Sequence, residues 1–148
     1  MISEARSKLL DHNVFIVWQP EYNLGIPILD EQHRGIVTII NSLNFGMQNN
    51  YIKENLKSIV DMMDSYSKIH FKIEEDFFEV INFPDAKDHK KSHKDLLSQF
   101  GRIGKDSILN NDPHQLMDFL KNWWISHICN EDIKYRDYIQ NRDKSFND

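Results

Sequence analysis

Only one cysteine, Cys129, occurs in 148 residues, so no disulfide can form within the chain and nothing points to an oxidising compartment. Long apolar runs are missing too. The longest, Val14 to Trp18, is too short to span a bilayer, and the charged start from Met1 to Asp11 has no signal-peptide core. Lys and Arg total 18 against 23 Asp and Glu, a net charge of -5, and no basic cluster occurs. That argues against nucleic acid as the main partner. Together these absences predict a soluble cytoplasmic protein with no membrane insertion. Repeats and low-complexity segments are also lacking, and the length suits one domain over residues 1–148 with a sizeable core.

What is present is helical periodicity. Residues 1–12 are polar and predict a loose lead in which His12 is solvated. Residues 13–27 carry Val14, Phe15, Val17, Trp18, Tyr22 and Leu24 among the turn residues Pro20, Asn23 and Gly25. With no second strand to pair with, they predict an extended arm anchored by Trp18. A first helix begins near Pro27, with Asp30 and Glu31 at the positive end of its dipole and an inward stripe of Leu29, His33, Ile36, Val37, Ile40 and Leu43. Gly46 and Asn49-Asn50 end it. The second helix runs from about Tyr51 to Ile81; Leu56, Met63, His70 and Phe77 recur every seven residues, with Ile59, Val60, Tyr66, Ile73 and Ile81 beside them.

Phe83-Pro84-Asp85 should break that helix and cap the third, whose stripe reads Ala86, His89, His93, Leu96, Phe100, Ile103 before Gly104 and Asn110-Asn111-Asp112 end it. The fourth opens at Asp112 and Pro113 and carries Leu116, Leu120, Trp123 and His127, with a frayed tail after about Asn141. Short connections make this an all-α, antiparallel up-down-up-down four-helix bundle with an extended N-terminal arm: arm about 1–27, bundle about 28–140.

The stripes contain residues that do not belong in an oily core. His70 and Glu74 stand one above the other on the second helix, and His33, His89, His93 and His127 fall inward on the other three. At 1.5 Å rise per residue, all six lie roughly 6 to 18 Å from the same end of the bundle. An inward histidine taken singly is ordinarily a core residue with a hydrogen-bond partner. Five of the seven histidines at one level are another matter, because they could not stay charged together and neutral imidazole is a common metal ligand. A metal centre is therefore expected. The remaining histidine, His114, lies off the stripes. One tetrahedral zinc needs only four ligands, whereas this set suits two octahedral ions joined by carboxylates. The Glu-x-x-His pairs of carboxylate-rich di-iron bundles and the His-Glu-x-x-His of zinc proteases are both absent.

The motifs Trp18-x3-Tyr22-x2-Gly25-Ile26-x3-Asp30-x-Gln32-His33, His70-Phe71-x2-Glu74-Glu75, His89-x3-His93 and Trp123-x3-His127-x4-Asp132-x2-Tyr135 run from the arm to the last helix. In this combination the chain resembles the hemerythrin family in its single-domain bacterial form, the bacteriohemerythrins. The resemblance implies two Fe ions in a non-haem, oxo- or hydroxo-bridged di-iron centre: His89, His93 and His127 on one iron, His33 and His70 on the other, Glu74 and Asp132 bridging. Helical geometry by itself favours Glu131 over Asp132, since on an ideal helix Asp132 is turned roughly 140° from His127 and Glu131 only about 40°. The resemblance favours Asp132 and requires a local distortion of the helix.

Counting ligands then leaves the His33/His70 iron one short. The family pattern implies that O2 binds there end-on, takes one electron from each Fe(II) and the proton of a bridging hydroxide, becomes peroxide, and leaves by reversal. It also implies that Ile36, Phe71, Trp123 and Ile128 line the O2 pocket, an apolar wall that keeps out protons and substrates. Trp124 stands where a smaller aliphatic residue is common in the family, which bears on pocket size; Cys129, beside the pocket, is expected to be a small buried residue. The expected function is thus an O2 carrier, store or sensor rather than an enzyme. Two other classes use the same site: a di-iron oxidase or peroxidase, and a module whose iron state alters an O2-consuming or signalling partner.

Overall fold

The computed structural model of the chain describes residues 14–145; the expectations for the lead and for His12 lie outside the described residues. Three long helices, α1 (Pro27–Gln48), α2 (Ile52–Ile81) and α3 (Ala86–Asn110), are followed by a fourth rod in three parts. These are α4 (His114–Trp123), a π-helical segment (Trp124–Glu131) and α5 (Asp132–Ser145). Among the described residues there is no strand. α1 packs on α2, α2 on α3, α3 on α4, and α4 returns to α1, which closes the antiparallel four-helix bundle. None of the described helices is long and apolar enough to cross a membrane.

Asparagine, more than proline, turns the chain. Asn50, Asn82 and Asn111 have φ of 59°, 53° and 49°, the left-handed region that asparagine tolerates at a helix end. α2 therefore stops at Asn82, before Pro84 is reached. Asp85 sits at the N-cap of α3 without making a capping bond. Asp112 does cap α4, its Oδ1 accepting the backbone N–H of His114 at 3.0 Å. Gly104, expected to end the third helix, lies inside α3 instead. It is buried where a Cβ would come within 2.9 Å of Val60 Cγ1, so its role is the close approach of α2 and α3. Nor does the last helix stop near Asn141; it continues to Ser145.

The arm is extended, with one 3-10 turn at Pro20–Tyr22. In place of a partner strand it uses a side-chain amide: Ile16 N–H donates to Asn41 Oδ1 at 2.8 Å and Asn41 Nδ2 donates to Ile16 O at 2.9 Å. Asp30 does more than face a dipole, because its two oxygens accept the N–H groups of Leu24 (2.7 Å) and Gly25 (3.2 Å) and clamp the arm to α1. Gly25 has φ 82°, a conformation only glycine takes cheaply. Trp18 anchors the arm as expected: Arg34 lies 4.5 Å over its ring, and Trp124 is 6.2 Å away.

Two apolar cores result. The larger gathers Ile36, Ile40, Leu43, Met63, Phe71, Phe100, Leu120 and Trp123 through the middle of the bundle. The smaller, Leu24, Leu29, Phe78, Phe83 and Tyr135, seals the end where the arm meets α1. By helical register the inward histidines fall between the two. Phe77, on the expected stripe, is half-buried, and its neighbour Phe78 is the residue with no exposure.

Candidate metal centre

Each rod contributes to the polar layer: His33 from α1, His70 and Glu74 from α2, His89 and His93 from α3, His127 from the π segment and Asp132 from the first position of α5. All seven are at most 4% exposed. The two carboxylates divide the histidines. Glu74 Oε1 lies 3.1 Å from His89 Nε2 and 3.0 Å from His93 Nε2, while Oε2 faces His70 Nε2 at 3.3 Å and His33 Nε2 at 3.9 Å. Asp132 repeats the pattern. Its Oδ1 lies 2.8 Å from His89 and 3.2 Å from His127, and its Oδ2 lies 3.1 Å from His33. Two donor groups follow, His89, His93 and His127 in one and His33 and His70 in the other, with Glu74 and Asp132 common to both.

A cation fits these atoms better than they fit each other. His33 Nε2, His70 Nε2, His89 Nε2, Glu74 Oε1 and both Asp132 oxygens are buried without an aligned hydrogen-bond partner, although nitrogen and oxygen stand close together. Buried polar atoms left in this state cost on the order of several kcal/mol in all. His93 Nε2 and His127 Nε2 approach to 3.1 Å, which likewise suits two lone pairs aimed at one ion.

Outer contacts set the tautomers that such an ion requires. His70 Nδ1 donates to Gln32 Oε1 at 2.8 Å, and His93 Nδ1 donates to Glu75 Oε1 at 2.9 Å. Both oxygens only accept, so in the neutral rings the lone pair is left on Nε2. Ser92 Oγ lies 3.3 Å from His127 Nδ1. Tyr135, with no exposure, donates its hydroxyl to Glu74 Oε2 at 3.0 Å. Sequence reasoning assigned none of these four a role. A position beside an expected ligand in sequence, as Gln32, Glu75 and Ser92 have, is the signal that could have found three of them; Tyr135, three residues past Asp132, shares its helix face.

Electrostatics in the layer balance two carboxylates against imidazoles. Burial alone would lower the pKa of His89, but the close approach and attraction of the Asp132 and Glu74 carboxylates outweigh it and push the value up to about 9. His33 is raised in the same way: burial opposes protonation and Asp132 and Glu74 overcome it. His70 is lowered because burial prevails over Glu74. Burial pushes Glu74 up, yet His70, His89 and His93 hold its carboxyl well below the ordinary range. For Asp132, burial and Glu74 oppose ionisation, and His127 and His33 bring it below the ordinary range all the same.

The helix distortion that Asp132 required is the π segment. Asp132 N–H donates to His127 O, five residues back, so the wider turn returns Asp132 to the face of His127. Glu131 is turned outward and pairs with Lys134 at 3.0 Å. Of the expected O2-pocket residues, Ile36, Phe71, Trp123 and Ile128 are all buried in the larger core. Phe71 stacks on His93 at 3.8 Å with an interplanar angle of 9° and lies 5.7 Å from His70 and 5.6 Å from Trp123. Trp124 packs on the arm, 5.2 Å from Tyr22. Cys129 is half-buried rather than buried, and burial, with help from Asp132, pushes its thiol up to about 11. His114 is exposed and bound to Asp112, apart from the layer.

A family model described as the hemerythrin HHE cation binding domain matches residues 24–138. A protein named bacteriohemerythrin from Pseudomonas aeruginosa is 30% identical over 128 residues, covering 84% of this chain and 82% of that one. Another of that name from Stenotrophomonas maltophilia is 27% identical over 126 residues, covering 84% and 82%. A hemerythrin-like protein of Naegleria gruberi is 29% identical over 119 residues, covering 80% and 89%.

Proposed function

The chain belongs to the hemerythrin family, and on that premise we propose that it binds O2 reversibly at a non-haem pair of irons, as a carrier, store or sensor. His89, His93 and His127 would hold one iron, His33 and His70 the other, and Glu74 and Asp132 both. The observation that carries this reading is the way each carboxylate turns one oxygen to each histidine group. The iron pair, when bound, supplies the two electrons that O2 takes up on binding and returns on release. The three-to-two division of histidines leaves the His33/His70 side one ligand short, which marks it as the O2 side.

The protein's own groups do the rest. Gln32 and Glu75 fix the rings of His70 and His93, and Tyr135 holds one oxygen of Glu74. Phe71, Ile36, Trp123 and Ile128 exclude water, which protects bound O2 from onward reaction. This apolar surround favours a carrier over an oxidase or peroxidase. The single cysteine suits a reducing compartment, and we read the site of action as cytoplasmic, with delivery to a partner that consumes O2 or relays its level.

Anaerobic reconstitution with Fe(II), followed through cycles of air and degassing, tests the reading. Two irons per chain and a visible charge-transfer band that comes and goes over several cycles are expected. One zinc per chain from cells grown with ample iron would overturn the paired-iron reading, and irreversible oxidation at the first exposure would favour the oxidase.

A further inference from the structure

α1 carries a glycine in mid-helix, Gly35, where glycine costs about 1 kcal/mol relative to alanine. The reason stands on α2. A Cβ at position 35 would collide with Oη and Cζ of Tyr66, so the tip of the tyrosine rests on bare α1 backbone, in space that any other residue would fill. α1 and α2 are antiparallel, and their seam reads in rungs. Gln32 meets His70 on one, and Gly35 meets Tyr66 on the next, one helical turn farther from the sealed end of the bundle. Tyr66 thus covers the seam next to the two-histidine side, and Ile36, directly after Gly35, has no exposure.

Tyr66 is held differently from the two tyrosines of the last helix. Tyr135 is tied by its hydroxyl to Glu74, and Tyr138 to the carbonyl of Asn82. Among the described residues no hydrogen bond holds the Tyr66 hydroxyl, and it is not one of the buried unpartnered atoms, so it touches solvent. Its ring is half-buried and packs on the larger core. A ring held by packing alone, over a position with no side chain to obstruct it, can swing without breaking a polar bond.

We propose that Tyr66, seated on Gly35, is the gate through which small ligands reach the His33/His70 side: seated, it closes the α1–α2 seam, and swung out, it opens it. This rests on the reading of that side as the place where O2 binds. A gate lowers entry and exit rates together and leaves affinity unchanged, which separates it from a residue that shapes the bound state.

Stopped-flow rates of O2 binding to reduced protein and azide binding to oxidised protein test it, with iron content measured on every sample. Tyr66→Ala should speed association and dissociation together by about tenfold. Gly35→Ala, whose methyl group displaces the ring, should do the same, and Tyr66→Phe, which keeps the ring, should keep the slow rates. If Tyr66→Ala loses iron, Gly35→Ala decides by the same criterion. A second measurement needs no iron: in metal-free protein carrying fluorotyrosine, the fluorine signal that Tyr66→Phe removes should exchange between two environments, and Gly35→Ala should leave only the exposed one. Unchanged rates with iron intact, or a single immobile fluorine environment, would overturn the gate. Wild-type protein that takes up no paired iron would overturn the O2 reading beneath it, and the fluorine measurement still decides whether Tyr66 swings.

Discussion

Asp132 Oδ1 stands 3.2 Å from His127 Nε2 although the two are five positions apart, a spacing that a regular α-helix turns to different faces. The π segment Trp124–Glu131 makes the approach, its wider turn linking Asp132 N–H to His127 O. π-bulges are uncommon and concentrate at functional sites, and this one sets Asp132 into the buried histidine layer.

Asp132→Asn is therefore expected to disrupt the spectrum of the paired metals, while Glu131→Gln, which removes only the exposed contact to Lys134, leaves it nearly intact. Absorption spectra of the two variants after anaerobic loading check this, and the reverse result would return the bridge to Glu131. Deleting exposed Asn130 shortens the spacing to four, which a regular helix also places on one face. The deletion should relax the π segment and keep metal binding; loss of metal would mean that the wide turn itself, and not just the direction of Asp132, is needed.

His70→Ala removes one of the two histidines on its side and should lower iron from two per chain toward one. Metal analysis of the purified variant reads this directly. Retention of both irons would show that His70 is not a ligand.

Tyr135→Phe leaves Glu74 Oε2 without its hydroxyl donor in a site closed to water. Outer contacts of this kind change metal affinity by about 10–100-fold when removed. Competition with a chelator should show a loss of that size with the fold retained. An affinity within about twofold of wild type would leave the hydroxyl no part in holding the carboxylate.

The metal-free protein should respond to pH in a defined way. His89, pushed up to about 9, contributes stability that is fully present below its unfolded value of about 6.5 and is lost as pH rises through about 9. Glu74 and Asp132, held below the ordinary range, contribute stability present above about 4 and lost as pH falls through their depressed values. Metal-free protein is thus expected to melt highest between about pH 4.5 and 6.5 and to lose stability toward about pH 9.5. Metal-loaded protein, with its imidazoles neutral, should not show that alkaline loss. Thermal melts with and without chelator check it, and a metal-free Tm that rises from pH 6.5 to 9.5 would contradict the assigned charges.

Phe71→Ser should keep both metals but open space against the His93 ring, on which Phe71 stacks at 3.8 Å. Water admitted there should hasten oxidation of the O2-bound form, seen as faster decay of its visible band, and the cavity should cost about 3–5 kcal/mol of stability. Decay no faster than wild type would mean that the ring is only core packing.

How much of this was legible in the sequence follows from what each feature depends on. Helical period is a local property, so four stripes, the first from Leu29 to Leu43 and the last from Leu116 to His127, placed four rods, and similar distances from one bundle end brought His33, His70, Glu74, His89, His93 and His127 near one level. Left-handed turns at Asn82 and Asn111 are local as well, and the first ends its helix before Pro84 is reached. Gly104 and Gly35 could not be read in the same way, because a glycine in mid-helix looks like a breaker until the residue pressing on it, Val60 or Tyr66, is known. Asp132 is the clearest division. Its identity and its distance from His127 are in the sequence, but the face it occupies depends on whether the intervening backbone closes its bonds at four residues or five. Nothing local decides that, since the wider turn costs packing along its own helix. In the assembled bundle it is offset by burying Asp132 among His33, His89 and His127 on three different rods, and only the tertiary structure brings those three together.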